Sequence, residues 1–173
     1  IVFLAELNVL DFWVGDIQSA YLESHMLVKV HVIRGAKFLN VGLEGHTLVI
    51  KKALYGLRSS GIHWWEQFSD VLEEMGFFPS KAEKDIWMHD KGDHYEYLVV
   101  YVDDLGIASK DPKGIVDELQ DKYKFVLKGT GPIKFHLGCD YFHDSDGKLC
   151  FAPKKYIEGM IQTFNRHFGK NPR

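Results

Sequence analysis

Residues 95–108 constrain this chain more than any other stretch. An almost unbroken aromatic and β-branched run, Tyr95 to Val102, climbs to two adjacent carboxylates, Asp103 and Asp104, and continues as the apolar Leu105-Gly106-Ile107-Ala108. Such runs form strands buried on both faces. An unpaired carboxylate inside one is very costly to bury. The simplest arrangement is a β-hairpin with the Asp pair at its turn. The simplest partner is a divalent cation, because hard oxygen ligands suit Mg²⁺.

With 173 residues, 46% of them hydrophobic, the chain is long and apolar enough for one packed domain. Lys and Arg number 21 against 24 Asp and Glu, so no overall basic footprint announces nucleic acid, although local patches matter more than totals. Cys139 and Cys150 match neither a zinc spacing nor a disulfide framework, which points to a reducing, intracellular setting. The nine histidines (His25, His31, His46, His63, His89, His94, His136, His143 and His167) have no Cys partners at ligand spacing, which argues against zinc. The apolar opening Ile1–Ala5 lacks a basic flank and soon meets Glu6 and Asp11, unlike a signal peptide. No run reaches the roughly 18 apolar residues of a membrane span. The chain starts without Met, in mid-pattern, and is expected to be a piece of something longer.

Along the chain, residues 1–10 fit the end of a helix and Phe12–Ile17 a strand, with Asp16 alone among apolar neighbours. A helical turn at Ala20–Leu22 precedes alternation over 27–33. Arg34–Lys37 is a basic break, the glycines between Asn40 and His46 predict a loop, and Leu48–Ile50 a short strand. Ser59 or Ser60 is the expected cap of a helix to Met75, ended by Gly76. Its apolar face includes Trp64, which is read as core rather than as a base-stacking platform, with Trp65 flanking it. Ile86–His89 pairs back through Lys91–Asp93 onto the 95–102 run. Asp111-Pro112 starts a helix, Asp144–Gly147 turns a hairpin between 133–142 and 148–151, and an amphipathic helix carries Tyr156 to Phe164. This order predicts an α+β fold with a mainly antiparallel sheet. Adjacent central strands would bring Asp16 to Asp103 and Asp104.

Tyr101-Val102-Asp103-Asp104 resembles the Tyr-x-Asp-Asp box of reverse transcriptases. Asp16 to Leu22 resembles the first catalytic block of copia-type LTR retrotransposon polyproteins, and Lys51 to Arg58 their Lys-Lys-Ala-Leu-Tyr-Gly-Leu-Lys/Arg block. Phe135-His136-Leu137-Gly138 is similar to the later Phe-Leu-Gly block, and Lys154–Ile157 to the segment after it. Four ordered blocks over nearly the whole chain are far more specific than one four-residue box.

The resemblance implies a reverse-transcriptase-like palm, an antiparallel sheet backed by helices, with partial fingers and the thumb absent. Residues 1–22 would start the palm, 23–60 form part of the fingers, and 61–151 complete the palm with its two hairpins. Residues 152–173 would lead toward the missing thumb. The implied activity is RNA-directed DNA polymerisation by two-metal transfer of dNTPs onto a primer 3′-hydroxyl. Asp16 and Asp103 would hold Mg²⁺ (or Mn²⁺), with the Ile17 carbonyl as an extra ligand and Asp104 as a secondary one. Tyr21 would block a ribonucleotide 2′-hydroxyl. Tyr55, Gly56 and Arg58 would lie against the nascent base pair and template, although Ser59-Ser60-Gly61 departs from the family's Gln-Ala-Pro. Tyr101 and Val102 would touch the primer end, and His136, Leu137 and Gly138 would form the primer grip. Lys128, with Lys134 as a competitor, would protonate the leaving pyrophosphate.

Partners implied are an RNA or DNA template with primer, dNTPs, and flanking fingers, thumb, RNase H and integrase regions of a polyprotein. No membrane is involved, and the setting would be cytoplasmic, including virus-like particles. Without those flanking parts the piece is expected to polymerise little. The rival readings are a non-catalytic nucleic-acid-binding remnant, against which all three retained acids count, and a metal-dependent phosphotransfer domain of unrelated fold.

Overall fold

The computed structural model describes residues 1–33, 46–136 and 138–169. The chain runs through α1 (Val2–Leu7), β1 (Asp11–Ile17), α2 (Ala20–Glu23), β2 (His25–Ile33), β3 (Thr47–Lys52) and α3 (Ser60–Glu74). It continues with β4 (Phe78–Pro79), β5 (Ile86–Asp90), β6 (Tyr95–Tyr101), β7 (Asp104–Ser109) and α4 (Pro112–Asp121). The last elements are β8 (Leu127–Pro132), β9 (Phe135–His136), β10 (Cys139–His143), β11 (Leu149–Ala152) and α5 (Lys154–Phe168). The expected break at Arg34–Lys37 and the loop from Asn40 to Gly45 lie outside the described residues.

Six strands form the main sheet in the order β4-β5-β6-β7-β1-β8, antiparallel at every pairing. Because β7 and β8 both run against β1, they are parallel to each other, joined by α4, with β1 between them. This split β-α-β arrangement is a recurrent unit of α+β folds. Two smaller antiparallel sheets, β2-β3 and β9-β10-β11, complete the mixed α and β architecture.

Both faces of the central strands are buried, as the unbroken apolar run predicts. On one face Ile17, Leu98, Val100, Leu105 and Ile107 pack against Trp64, Phe68 and Leu72 of α3 and Ile115, Val116 and Leu119 of α4. The opposite face holds a smaller cluster in which Tyr97, Ala108 and Phe12 meet Ala5 and Leu10 around α1. Gly106 lies on that second face, where a Cβ would come within 2.8 Å of Val99 Cγ1 and 2.9 Å of Phe12 Cζ. Gly106→Ala therefore overpacks a two-sided strand and is expected to cost about 1–3 kcal/mol. Denaturant unfolding checks this; a midpoint equal to that of the unsubstituted chain would show the ring and the valine moving aside freely.

Helix α4 starts as expected: Asp111 accepts a hydrogen bond from Gly114 N at 2.9 Å, with Pro112 in the first turn. Helix α3 does not. Neither serine caps it; the Ser60 hydroxyl instead donates to the Leu54 carbonyl at 2.6 Å. Ser60 is fully buried, so its hydroxyl is used to close the preceding loop rather than to satisfy the helix end. Strand β8 departs from local expectation, because Leu127-Lys128-Gly129-Thr130-Gly131-Pro132 has the composition of a turn. It is an edge strand, the position where Gly and Pro are tolerated.

Candidate active site

Strand alternation builds the site. On the face covered by α1, Phe12 and Ala108 are Cα partners, and four residues further along each strand Asp16 is paired with Asp104. The two carboxylates thus emerge side by side where α1 no longer shields the sheet. On the other side of β1, Asp16 is paired with Lys128 of β8. Lys134, the competing lysine, lies beyond the end of β8, where its carbonyl accepts a hydrogen bond from Tyr141 N at 2.8 Å. Asp103 reaches the same place through its backbone: its carbonyl accepts the Ile17 N–H at 2.7 Å.

The turn between β6 and β7 has two residues, Val102 and Asp103, flanked by the pair Tyr101 and Asp104. Asp104 thus belongs to the strand, and only Asp103 to the turn. Val102 adopts φ +59°, which suits the first position of a tight hairpin but not a β-branched side chain. Its carbonyl accepts a 2.6 Å hydrogen bond from Trp64 Nε1. Trp64 is core, as its position on the apolar face of α3 predicts, being 2% exposed; Trp65 is 40% exposed.

Tyr21 and Tyr55 meet with ring centroids 4.7 Å apart, tilted by 45°. The loop bearing Tyr55 is tied to α2 through the Ala53 N–H, which donates to the Ser24 carbonyl at 2.9 Å, while the Ser24 hydroxyl donates to the Tyr21 carbonyl at 3.0 Å. Gly56 follows Tyr55 at φ +92°. Burial raises the Tyr55 phenol above its ordinary value, helped by the charge of Asp103, by Tyr21 and by the charge of Asp16. Arg58 is exposed just before α3. His136 is half-buried on β9; burial lowers its pKa and the charge of Asp104 partly restores it. Gly138 follows at φ +82°, and Leu137 lies outside the described residues.

Asp104 is pushed above the usual carboxylate range, first by burial and then by the charges of Asp103 and Asp16, with His136 opposing. A raised carboxylate favours the protonated form in the folded state. Its contribution is present below the ordinary Asp pKa and is lost as pH rises through the folded value. At neutral pH the ionised Asp104 therefore weakens the metal-free fold. Asp104→Asn is expected to raise the metal-free melting temperature at pH 7 by about 1–3 °C, a gain that shrinks as pH falls through the raised folded value and is gone below about pH 4. Calorimetry at both pH values checks this, and a lower melting temperature at pH 7 would contradict it.

The acidic group offers oxygen donors alone, the set Mg²⁺ prefers. Among the described residues no three His, Cys, Asp or Glu side chains form a ready-made metal cage. A Mg²⁺ site needs none, since Mg²⁺ takes one or two carboxylates and completes its shell with water and substrate phosphates. Asp16 and Asp104, paired across β1 and β7, supply carboxylate donors of the kind that ion takes.

The arrangement is an acidic strand pair, Asp16 and Asp104, beside an acidic hairpin turn on an antiparallel sheet. Residues 3–171 match the family model for reverse transcriptase (RNA-dependent DNA polymerase), and the chain belongs to that family. It is 27% identical over 156 residues to a transposon Ty5-1 protein of Saccharomyces cerevisiae, covering 86% of this chain and 50% of that protein. It is 24% identical over 151 residues to the retrovirus-related Pol polyprotein from transposon RE1 of Arabidopsis thaliana, covering 87% of this chain and 10% of the polyprotein. The chain thus spans half or less of the length of these relatives. No solved structure matches it significantly. Among the described residues no helix is long and apolar enough to cross a membrane.

Proposed function

We propose that this chain is the polymerase core of an LTR retrotransposon Pol polyprotein, catalysing RNA-directed DNA synthesis. The observation that carries the reading is the register that pairs Asp16 with Asp104 on one side and with Lys128 on the other. A remnant that only bound nucleic acid would have no use for two paired acids with a third at the adjoining turn. In this reading the six-stranded sheet with α3 and α4 is the palm, β2 and β3 belong to the fingers, and α5 leads toward a thumb.

Asp16 and Asp103 would hold Mg²⁺ or Mn²⁺, with Asp104 and the Ile17 carbonyl as secondary ligands. When bound, the cations lower the pKa of the primer hydroxyl and neutralise charge on the triphosphate. The residues of the chain do the rest by position. Tyr21 closes the space that a 2′-hydroxyl would need, and Tyr55, packed on it, faces the nascent base pair with Gly56 and Arg58. Tyr101 and Val102 hold the primer end, pressed from the other side by His136, Leu137 and Gly138. Lys128 gives its proton to the departing pyrophosphate, a role its place opposite Asp16 favours over Lys134. The partners are template with primer, dNTPs and the neighbouring regions of the polyprotein, in the cytoplasm or in virus-like particles.

The test is extension of a DNA primer on an RNA template by the complete protein, with Mg²⁺ and after chelation. Metal-dependent incorporation of dNTPs supports the reading. Template binding without any incorporation would leave the remnant in its place.

A further inference from the structure

The turn that carries Asp103 holds a conformation that its own residues resist. Val102 sits at φ +59°, where a β-branched side chain is a genuine outlier. Such a conformation persists only where the surroundings over-determine it. Packing does not pin it from below, because Val102 borders a cavity of about 210 Å³ lined also by Tyr21, Trp64 and Trp65. Beyond the Tyr101–Asp104 pair that closes the hairpin, two hydrogen bonds reach the turn from other elements. One is backbone to backbone, from Ile17 N to the Asp103 carbonyl. The other is a single side chain: Trp64 Nε1 donates to the Val102 carbonyl at 2.6 Å, across 38 positions of sequence.

Trp64 is built to act as a fixed point. It stacks on Phe68 at 5.0 Å and meets Phe125 edge-on at 5.8 Å. With the ring locked on both sides, the indole N–H cannot follow the turn if the turn shifts. A rotamer fixed by packing is what a supporting residue needs to hold a reactive neighbour in place.

We propose that Trp64 is a positioning residue whose indole N–H clamps Val102 in the left-handed region and so aims Asp103 at the metal. This inference rests on the metal-site reading above and adds the residue that sets the turn. Without the bond, Val102 relaxes toward ordinary backbone angles and Asp103, the next residue, turns with it. The clamp is needed only because residue 102 is not glycine, which adopts positive φ freely. Trp64→Phe and Val102→Gly should therefore be non-additive.

The experiment measures Mn²⁺ binding to the full chain by electron paramagnetic resonance, with thermal melting beside it. Trp64→Phe keeps an aromatic ring in the core and removes the donor. It is expected to weaken Mn²⁺ binding about three- to tenfold, the scale of one hydrogen bond, beside a fall in melting temperature from the smaller core side chain that Val102→Gly does not restore. Adding Val102→Gly should bring the affinity back to within about twofold. A fall in melting temperature with Mn²⁺ affinity unchanged, or no recovery in the double variant, overturns the clamp.

If Trp64→Phe does not fold, the unsubstituted chain decides by NMR. Because metal and clamp favour one turn conformation, saturating Mg²⁺ should slow hydrogen exchange of the Trp64 indole proton, with Trp65 as the unaffected control. Exchange indifferent to Mg²⁺ overturns the proposal. Metal binding that depends on Asp103 but ignores Trp64 removes this inference and leaves the metal site standing. No Asp103-dependent binding of either cation in the unsubstituted chain removes both.

Discussion

Asp103→Asn in the complete protein is expected to stop primer extension, with a loss of roughly 10³-fold or more in rate, while folding and template binding persist. The carboxylate is asked to hold a cation worth several kcal/mol to the transition state, and each 1.36 kcal/mol is about tenfold. The amide keeps the shape but cannot carry the charge. The fold is spared because the structural bond at this residue is made by its main-chain carbonyl to Ile17 N, which the substitution does not touch. Single-turnover extension, a thermal melt and template binding check the three parts separately. A variant that retains more than a tenth of the rate removes Asp103 from the chemistry. A variant that no longer folds makes it a structural residue.

Tyr21→Ala is expected to admit ribonucleotides, reducing discrimination against them by about 10²-fold, the range in which a pocket can reject one added hydroxyl. The effect should appear in the kcat/KM ratio for dNTP over rNTP, with dNTP use less affected. Tyr21 is held on one side by the Tyr55 ring and borders a cavity that Tyr55 does not line. Tyr21 is only partly buried at the margin of the main core, so removing its ring enlarges that cavity, and α2 should persist. Competition between dNTPs and rNTPs in primer extension checks it. An unchanged ratio would assign the selection to some other residue.

Much of this was legible in the sequence because the strongest signals are local. The apolar run at 95–108 forms two strands buried on both faces, since apart from Glu96, whose carboxylate accepts a hydrogen bond from the Ser109 hydroxyl, its polar residues sit at the turn. Asp111-Pro112 starts a helix because cap and first-turn geometry need only neighbouring residues. The order of the four blocks carried the family resemblance for the same reason. The apolar face of α3 likewise announced Trp64 as core. It did not announce the indole hydrogen bond to Val102, whose partner lies 38 positions away.

The departures share one cause. Strand β8 has the composition of a turn, and only the free edge of β1 makes it a strand. Ser60 has the chemistry of a cap, but the Leu54 carbonyl lies closer to hand once the loop has folded. Lys128 and Lys134 are equivalent as side chains in a polar stretch, and pairing places only Lys128 opposite Asp16.

By itself, then, the sequence determined that a buried hairpin would present Asp103 and Asp104, and that Asp16 would end a strand of the same kind. Periodicity and local charge suffice for that, because burial and turn formation depend on residues a few positions apart. Tertiary structure alone decided that Asp16 and Asp104 share one register and one face, that Lys128 flanks them, and that Trp64 holds the turn. Those are pairings between segments far apart in the chain. A shift of one residue in strand register would have turned Asp16 into the core, and no local pattern records that choice.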